Sequence, residues 1–218
     1  MGIRLRVGIA AIFITASLLS ENVQAAAIHL QIDPQKSQIT ATVADPLARL
    51  RETGEIEAKL RIVSGNVDGD PQNPGATGHI KFTIDATSFD SGDDHRDKVV
   101  LGTALDTAEY QTISFESTRL ENVQIDVPGK MGHVIVVGNL TLHGTTREIR
   151  VPADVSLDTD GSLSGDGEVS FDYTDFGVRV PRLLFALPAG KDVTIHFHVI
   201  AAPPASARVK QTARPSRG

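Results

Sequence analysis

The sequence predicts an all-β fold: eight or nine antiparallel strands that close into a barrel or fold into a two-sheet sandwich. Three observations carry that prediction. Between Ile28 and Ala201, apolar and polar residues alternate in short runs, the pattern of strands with one buried face. The runs are divided by turn chemistry, "DGDPQNPG", "DVPGKMG", "HGT" and "DTDGSLSGDG", in gaps too short for the crossover helices of a parallel sheet. The 218 residues include no cysteine, so buried apolar surface must supply the stability that disulfides give many small exported domains.

Taken in order, the chain begins with Arg4 and Arg6, a 13-residue apolar run from Val7 to Leu19, and Val23-Gln24-Ala25. Residues 1–25 read as a secretory signal peptide cleaved before Ala26, since a bilayer-spanning helix needs about 20 residues. The expected location is therefore periplasmic or secreted. Nine strand-like runs follow over residues 28–201: "IHLQID", "SQITATV", "EIEAKLRIVS", "HIKFTID", "TISFESTRL", "HVIVVGNLTL", "TREIRVPADVSL", "GEVSFDY" and "DVTIHFHVI". In the fourth, Ile80, Phe82 and Ile84 share a face against Lys81, Thr83 and Asp85. Between the fourth and fifth, "DDHRDKVVLGTALD" (93–106) suits a short helix through Val99, Val100, Ala104 and Leu105. Closure into a barrel would remove exposed strand edges, and eight strands can just hold a small ligand. Composition alone leaves barrel and sandwich equally open.

Charge narrows the partners. The chain carries a net −6; without the leader's Arg4, Arg6 and Glu21 it is −7. Residues 203–218 read as a disordered basic tail holding Arg208, Lys210, Arg214 and Arg217, and without it the body is −11. So acidic a body repels phosphate backbones, which excludes nucleic acid as a partner. The tail's four cations leave peripheral contact with an anionic membrane open, although spread over ten residues they serve first to keep a terminus solvated. Oligomeric state is not legible.

The motifs argue against catalysis. No Gly-x-Ser-x-Gly elbow or His-Glu-x-x-His pair occurs, and His143-Gly144 reads as a structural hairpin corner, with the ring bonding the turn backbone and glycine taking positive φ. His196 and His198 lie two apart in a strand, a spacing that can place two imidazoles on one metal. They oppose the apolar set Val193, Ile195, Phe197 and Val199, so a solvated outer face is the better reading and no metal ligand is assigned. "DTDGSLSGDGEV" fails as a calcium loop because Leu163 and Val169 stand where Gly and Glu are needed. Asn139-Leu140-Thr141 fits a glycosylation acceptor but falls inside a strand. Arg96-Asp97 is either a head-group clamp or a structural pair seating the helix, and its acidic neighbours Asp93 and Asp94 favour the second. The inward apolar set fits a solid core and a ligand chamber equally well; many of its positions are small or branched, among them Ala41, Val43, Val134, Val136 and Gly138.

Several segments in order resemble the YceI-like family. "LTLHGTTREIRVPADV" is similar to its Leu-x-Leu/Ile-His-Gly-x-Thr hairpin, and Asp33-Pro34 with Ser37 to its opening Asp-Pro-x-x-Ser. "SGNVDGDPQNPGATGHIKFTIDATSFDSGDDHRDKVVLG" resembles its central signature through Ser88, Arg96 and Asp97. Tyr110, Ile113, Phe115 and Ser117 match its Tyr-Pro-x-Ile-x-Phe-x-Ser strand, with Gln111 in place of the proline, and Phe176-Gly177 matches the segment before its last strand. After Ser37 the chain departs, with Ala41-Thr42-Val43 and "ADPLARLRETG" where the family has a Phe-x-Val-x-His-Leu-Gly-like strand.

The resemblance implies a closed, lipocalin-like barrel of about eight strands with one short helix across an end. It implies a periplasmic carrier of polyisoprenoid chains, such as quinone tails or prenyl phosphates, with no cofactor beyond a bound isoprenoid lipid or quinone. The expected ligand-contacting residues are then Phe82, Ile84, Phe115, Val136 and Leu140, with Phe171, Phe176, Ile195 and Phe197 further along; Arg96 is the head-group candidate. The competing expectations are a stress or envelope protein with a filled barrel, and a weak metal-dependent activity through His196 and His198.

Overall fold

The computed structural model describes residues 27–44, 55–127, 131–179 and 191–204. The expected signal peptide, most of the segment after Ala44 and nearly all of the basic tail lie outside the described residues. Nine strands form: β1 (Ile28–Ile32), β2 (Gln38–Ala44), β3 (Glu55–Gly69), β4 (His79–Asp90), β5 (Thr112–Val127), β6 (Met131–Leu142), β7 (Thr145–Leu157), β8 (Leu163–Asp172) and β9 (Asp192–Ala202). All pair antiparallel in the order β1-β3-β2-β9-β8-β7-β6-β5-β4, and a further β3–β4 pairing closes the ring. The sandwich is excluded: one sheet meets itself. Each of the nine alternating runs is a strand.

The ring has eight staves rather than nine, because β1 and β2 are one strand cut in two. Both run antiparallel to β3, β1 against Asn66–Gly69 and β2 against Glu55–Leu60, and both also pair with β9. The interruption is the turn from Asp33 to Ser37. The Asp33 carboxylate accepts from the Gln35 amide at 3.0 Å and its carbonyl from the Ser37 amide at 3.1 Å, while Pro34 has no amide hydrogen to leave unpaired. The Ser37 hydroxyl accepts from the Ile200 amide at 3.0 Å, supplying the acceptor that the missing piece of strand would have presented.

Two more serines repair ladders in the same way. Where β3 and β4 slip register between Lys59 and Arg61, Ser88 Oγ accepts the Arg61 amide at 2.8 Å and donates to the Asp85 carbonyl at 2.6 Å. At the end of the β4–β5 ladder, buried Ser117 accepts the Ile80 amide at 2.8 Å. A buried amide left unpaired costs about 1–3 kcal/mol; the Ile80 and Ile200 amides are part-buried and the Arg61 amide exposed, so the repairs by Ser117 and Ser37 matter most.

β3 outruns the alternation, which ends at Ser64, because Gly65 belongs to the strand and not to a turn. A Cβ on Gly65 would stand 2.5 Å from Ile32 Cδ1 and 2.9 Å from Phe82 Cβ, so the position must be bare for those side chains to pack. The expected helix over 93–106 is shorter and mixed: α2 (Asp94–Val99), after the one-turn α1 (Pro74–Thr77), runs into a π-helical turn, Val100–Ala104. Asp93 caps α2 by accepting from the His95 and Arg96 amides, both at 3.0 Å, which holds its carboxyl below the usual range.

The outer face contains one apolar residue as hidden as any in the core. Val137 is 0 % exposed, although its neighbour Val136 points inward. It lies opposite Arg119 on β5 and Arg150 on β7. Arg119 binds Glu121 at 2.8 Å and Glu148 at 3.0 Å, and Arg150 binds Glu121 at 2.7 Å. The ion pairs reach across β6, and their long side chains roof the valine.

Candidate ligand chamber

Two clusters of buried side chains fill the barrel incompletely. One gathers Leu30, Ile32, Ile39, Ile62, Ile84 and Ala201; the other includes Phe115, Val136, Leu140, Leu142, Tyr173 and Phe176. A cavity of about 280 Å³ runs along both, close to the lower end of ligand pockets, roughly 300–1,000 Å³. Phe82, Ile84, Phe115, Val136, Leu140, Phe171, Ile195 and Phe197 all line it. The space comes from the small inward residues Ala41, Ala58, Ala153 and Gly165, which also line it.

The barrel's aromatic rings are seated on glycines. A Cβ on Gly138 would meet Phe115 Cζ at 2.6 Å, and one on Gly167 would meet Phe197 Cζ at 2.4 Å. With no side chain beneath them, the rings lie flat along the wall. Phe82 stacks on Phe115 with centroids 5.3 Å apart and planes 25° apart, within the range of favourable aromatic pairs.

Phe176, expected among the ligand contacts, does not line the cavity. It lies on the 3₁₀ turn Tyr173–Phe176 after β8 has ended, where strand alternation no longer sets its direction. It is 1 % exposed and packs edge-on against Phe171 at 5.2 Å. Conversely, Phe89, Val100, Ala104, Leu105 and Tyr173 line the chamber without standing among the expected ligand contacts. They sit at strand ends and on the helical segment between β4 and β5, beyond the reach of a period-two pattern. Burial, and then the charge of Asp172, push the Tyr173 hydroxyl above its ordinary pKa.

Arg96 also borders the chamber, yet its guanidinium is committed elsewhere. Nε donates to Ser91 Oγ at 2.7 Å and Nη2 to the Ser91 carbonyl at 3.0 Å. Asp97 accepts from the Ser91 amide at 3.1 Å and from its hydroxyl. Arg96 and Asp97 thus grip one residue from two sides and fix the turn that seats α2. The chamber meets carbon almost everywhere.

At the opening of β7, His143 and Gly144 have φ of +50° and +69° between the paired Leu142 and Thr145, a two-residue hairpin turn of the kind that matches sheet twist. The ring was expected to bond the turn backbone. Instead it packs on Tyr110, centroids 4.5 Å apart, and ties the hairpin to the segment before β5.

His196 and His198 face outward, about half exposed, each beside the carboxylate opposite it on β8: Glu168 at 3.3 Å and Asp166 at 2.6 Å. Among the described residues, no three His, Asp or Glu side chains converge as a metal-binding group. No helix of the described residues is long and apolar enough to cross a membrane.

An eight-stranded antiparallel ring around an apolar chamber, with a helical segment over one end, defines a lipocalin-like barrel. Within that class the chain belongs to the YceI-like domain family, which it matches over residues 30–201. It is 31 % identical over 131 residues to a UPF0312 protein of Vibrio campbellii, covering 57 % of this chain and 66 % of the relative. It is 30 % identical over 150 residues to a UPF0312 protein of Vibrio cholerae, covering 66 % and 72 %. Burkholderia cenocepacia BcnA has a similar structure, with TM-score 0.64 and 24 % identity over 78 % of this chain and 99 % of that one. So does a polyisoprenoid binding domain from Saccharophagus degradans implicated in plant cell wall breakdown, with TM-score 0.63 and 16 % identity, covering 80 % of this chain and 98 % of that one.

Proposed function

We propose that the protein is an exported binding protein that holds a polyisoprenoid-type lipid in the barrel and carries or stores it, without catalysing a reaction on it. The observation that carries this reading is the chamber itself, a space of about 280 Å³ with apolar walls inside a barrel whose ladders are otherwise repaired residue by residue. Burying a hydrocarbon chain there yields about 0.8 kcal/mol per methylene, so even a few isoprene units supply several kcal/mol, from which the ordering costs are subtracted. Such binding needs no catalytic constellation. The similarity to a polyisoprenoid binding domain supports the ligand class, and the Arg4/Arg6 leader with its apolar run supports export.

Native mass spectrometry of protein purified from its own envelope tests the reading. The expected species is a complex with a prenyl lipid, on a chain beginning at or near Ala26. A ligand-free protein that also fails to take up a prenylated quinone from detergent would overturn the carrier role. An intact Met1 on a membrane-bound protein would overturn the soluble-carrier reading.

A further inference from the structure

We propose that His196 and His198 form a surface binding site for a late first-row divalent ion of the zinc class, oriented by Glu168 and Asp166. The two histidines occupy alternate positions of β9, so they stand side by side on the outer face, about 6.8 Å apart along the strand. Imidazoles at that spacing can swing their outer nitrogens onto one ion at about 2.0–2.1 Å. Phe197, between them, lines the chamber on the other side of the wall, so the ion site and the lipid site are separate.

Each ring of the pair is braced by a carboxylate. Glu168 and Asp166 lie directly opposite His196 and His198 in the β8–β9 register. Each carboxylate contacts the Nδ1 atom of its histidine, at 3.3 and 2.6 Å. A ring that gives its Nδ1 hydrogen to a carboxylate keeps its lone pair on Nε2, the arrangement that orients metal-ligating histidines. Among the described residues none hydrogen-bonds either Nε2 atom, and the two side chains are 50 and 47 % exposed, so neither outer nitrogen is committed to a protein partner. The two carboxylates also make the local field attractive to a cation, on a chain of net charge −6.

The same molecule supplies the comparison. His29 with Asp68, His133 with Asp154 and His79 with Glu116 are likewise outward histidine–carboxylate contacts, but none of these histidines has a second one two residues away. Imidazole donors favour zinc, copper and nickel over magnesium and calcium. With two protein donors and water completing the shell, binding is exchangeable.

The test is calorimetric titration of the mature protein with zinc chloride at about pH 7.5, where imidazole is mostly neutral. One ion per chain is expected. His196→Ala and His198→Ala should each weaken binding by at least about tenfold. Glu168→Gln combined with Asp166→Asn should weaken it by roughly 10–100-fold, the usual effect of removing orienting partners. His133→Ala, which removes a solitary pair, should leave it unchanged. Far-ultraviolet circular dichroism confirms that these exposed substitutions preserve the fold. Absence of saturable binding, or an affinity that survives both histidine substitutions or falls equally with His133→Ala, would overturn the site.

Discussion

Phe115→Ala and Phe176→Ala remove the same ring from two kinds of burial, and the difference between them tests the chamber. Both residues are nearly inaccessible, at 3 % and 1 %, so a solid core would make them equivalent. Phe115 lies over Gly138 and against Phe82 on one side and faces the cavity on the other. Its removal enlarges a space that already exists. Phe176 packs against Phe171 and does not border that space, so its removal opens a new hole. Phe-to-Ala substitutions cost about 3–5 kcal/mol; Phe115 should fall near 3 and Phe176 near 5. For a domain of this size, 1 kcal/mol moves the midpoint by about 2–4 °C, which predicts drops of roughly 6–12 °C and 10–20 °C. Lipid retention should behave oppositely: a prenylated quinone, followed by extraction after gel filtration, is lost from Phe115→Ala and kept by Phe176→Ala below its midpoint. Equal stability losses with equal lipid retention would refute the distinction between wall and core.

Gly167→Ala should destabilise the barrel by about 1–3 kcal/mol, the cost of overpacking. The new methyl meets both Phe197 Cζ and the Pro152 carbonyl at 2.4 Å, and backbone cannot yield as a side chain can; an unchanged urea midpoint would refute the seating of Phe197 on that glycine. Gly144→Ala should cost about 1–2 kcal/mol for a left-handed alanine, and it should also push Tyr110, 2.6 Å from the new Cβ, off His143, visible as a changed near-ultraviolet spectrum. The Arg150 and Arg119 guanidiniums hold the Glu121 carboxyl below its ordinary 4.5, and Arg119 does the same for Glu148. Their stabilisation is therefore present above pH 4.5 and lost as pH falls through the lowered folded values. Glu121→Gln with Glu148→Gln should flatten that acid limb in denaturation curves, and an unchanged limb would show that the network over Val137 contributes nothing.

The strands were legible because each has one wet face: Ile80, Phe82 and Ile84 alternate with Lys81, Thr83 and Asp85, and water enforces the pattern. Most of the chamber wall was legible for the same reason. Phe176 misled because a 3₁₀ turn ends the period that predicted its direction. Val137 was hidden because an outward residue is normally wet, and only the three-dimensional register brings arginines from two flanking strands across it. The serines carried a different kind of information. Ser37, Ser88 and Ser117 were visible as parts of a family pattern, but a hydroxyl that replaces a ladder acceptor cannot be inferred until the register fault it repairs is known. Whether the interior was filled could not be read from residue types, since the chamber is a difference between wall volume and ring circumference.

The divided first stave changes how the barrel is held shut. Each of the other strands is held by six or more residue pairs to at least one neighbour. β1, by contrast, is held to β3 by four residue pairs and to β9 by two, and it is joined to the rest through the turn at Asp33–Ser37. Its hold comes instead from packing: Leu30 and Ile32 are 2 % and 5 % exposed and belong to the buried cluster at this end of the barrel. Ile32, at its end, borders the chamber. The first stave is therefore two pieces on a proline-bearing joint, and the shorter piece works as a plug, its two buried side chains sealing the wall where the ladder is brief.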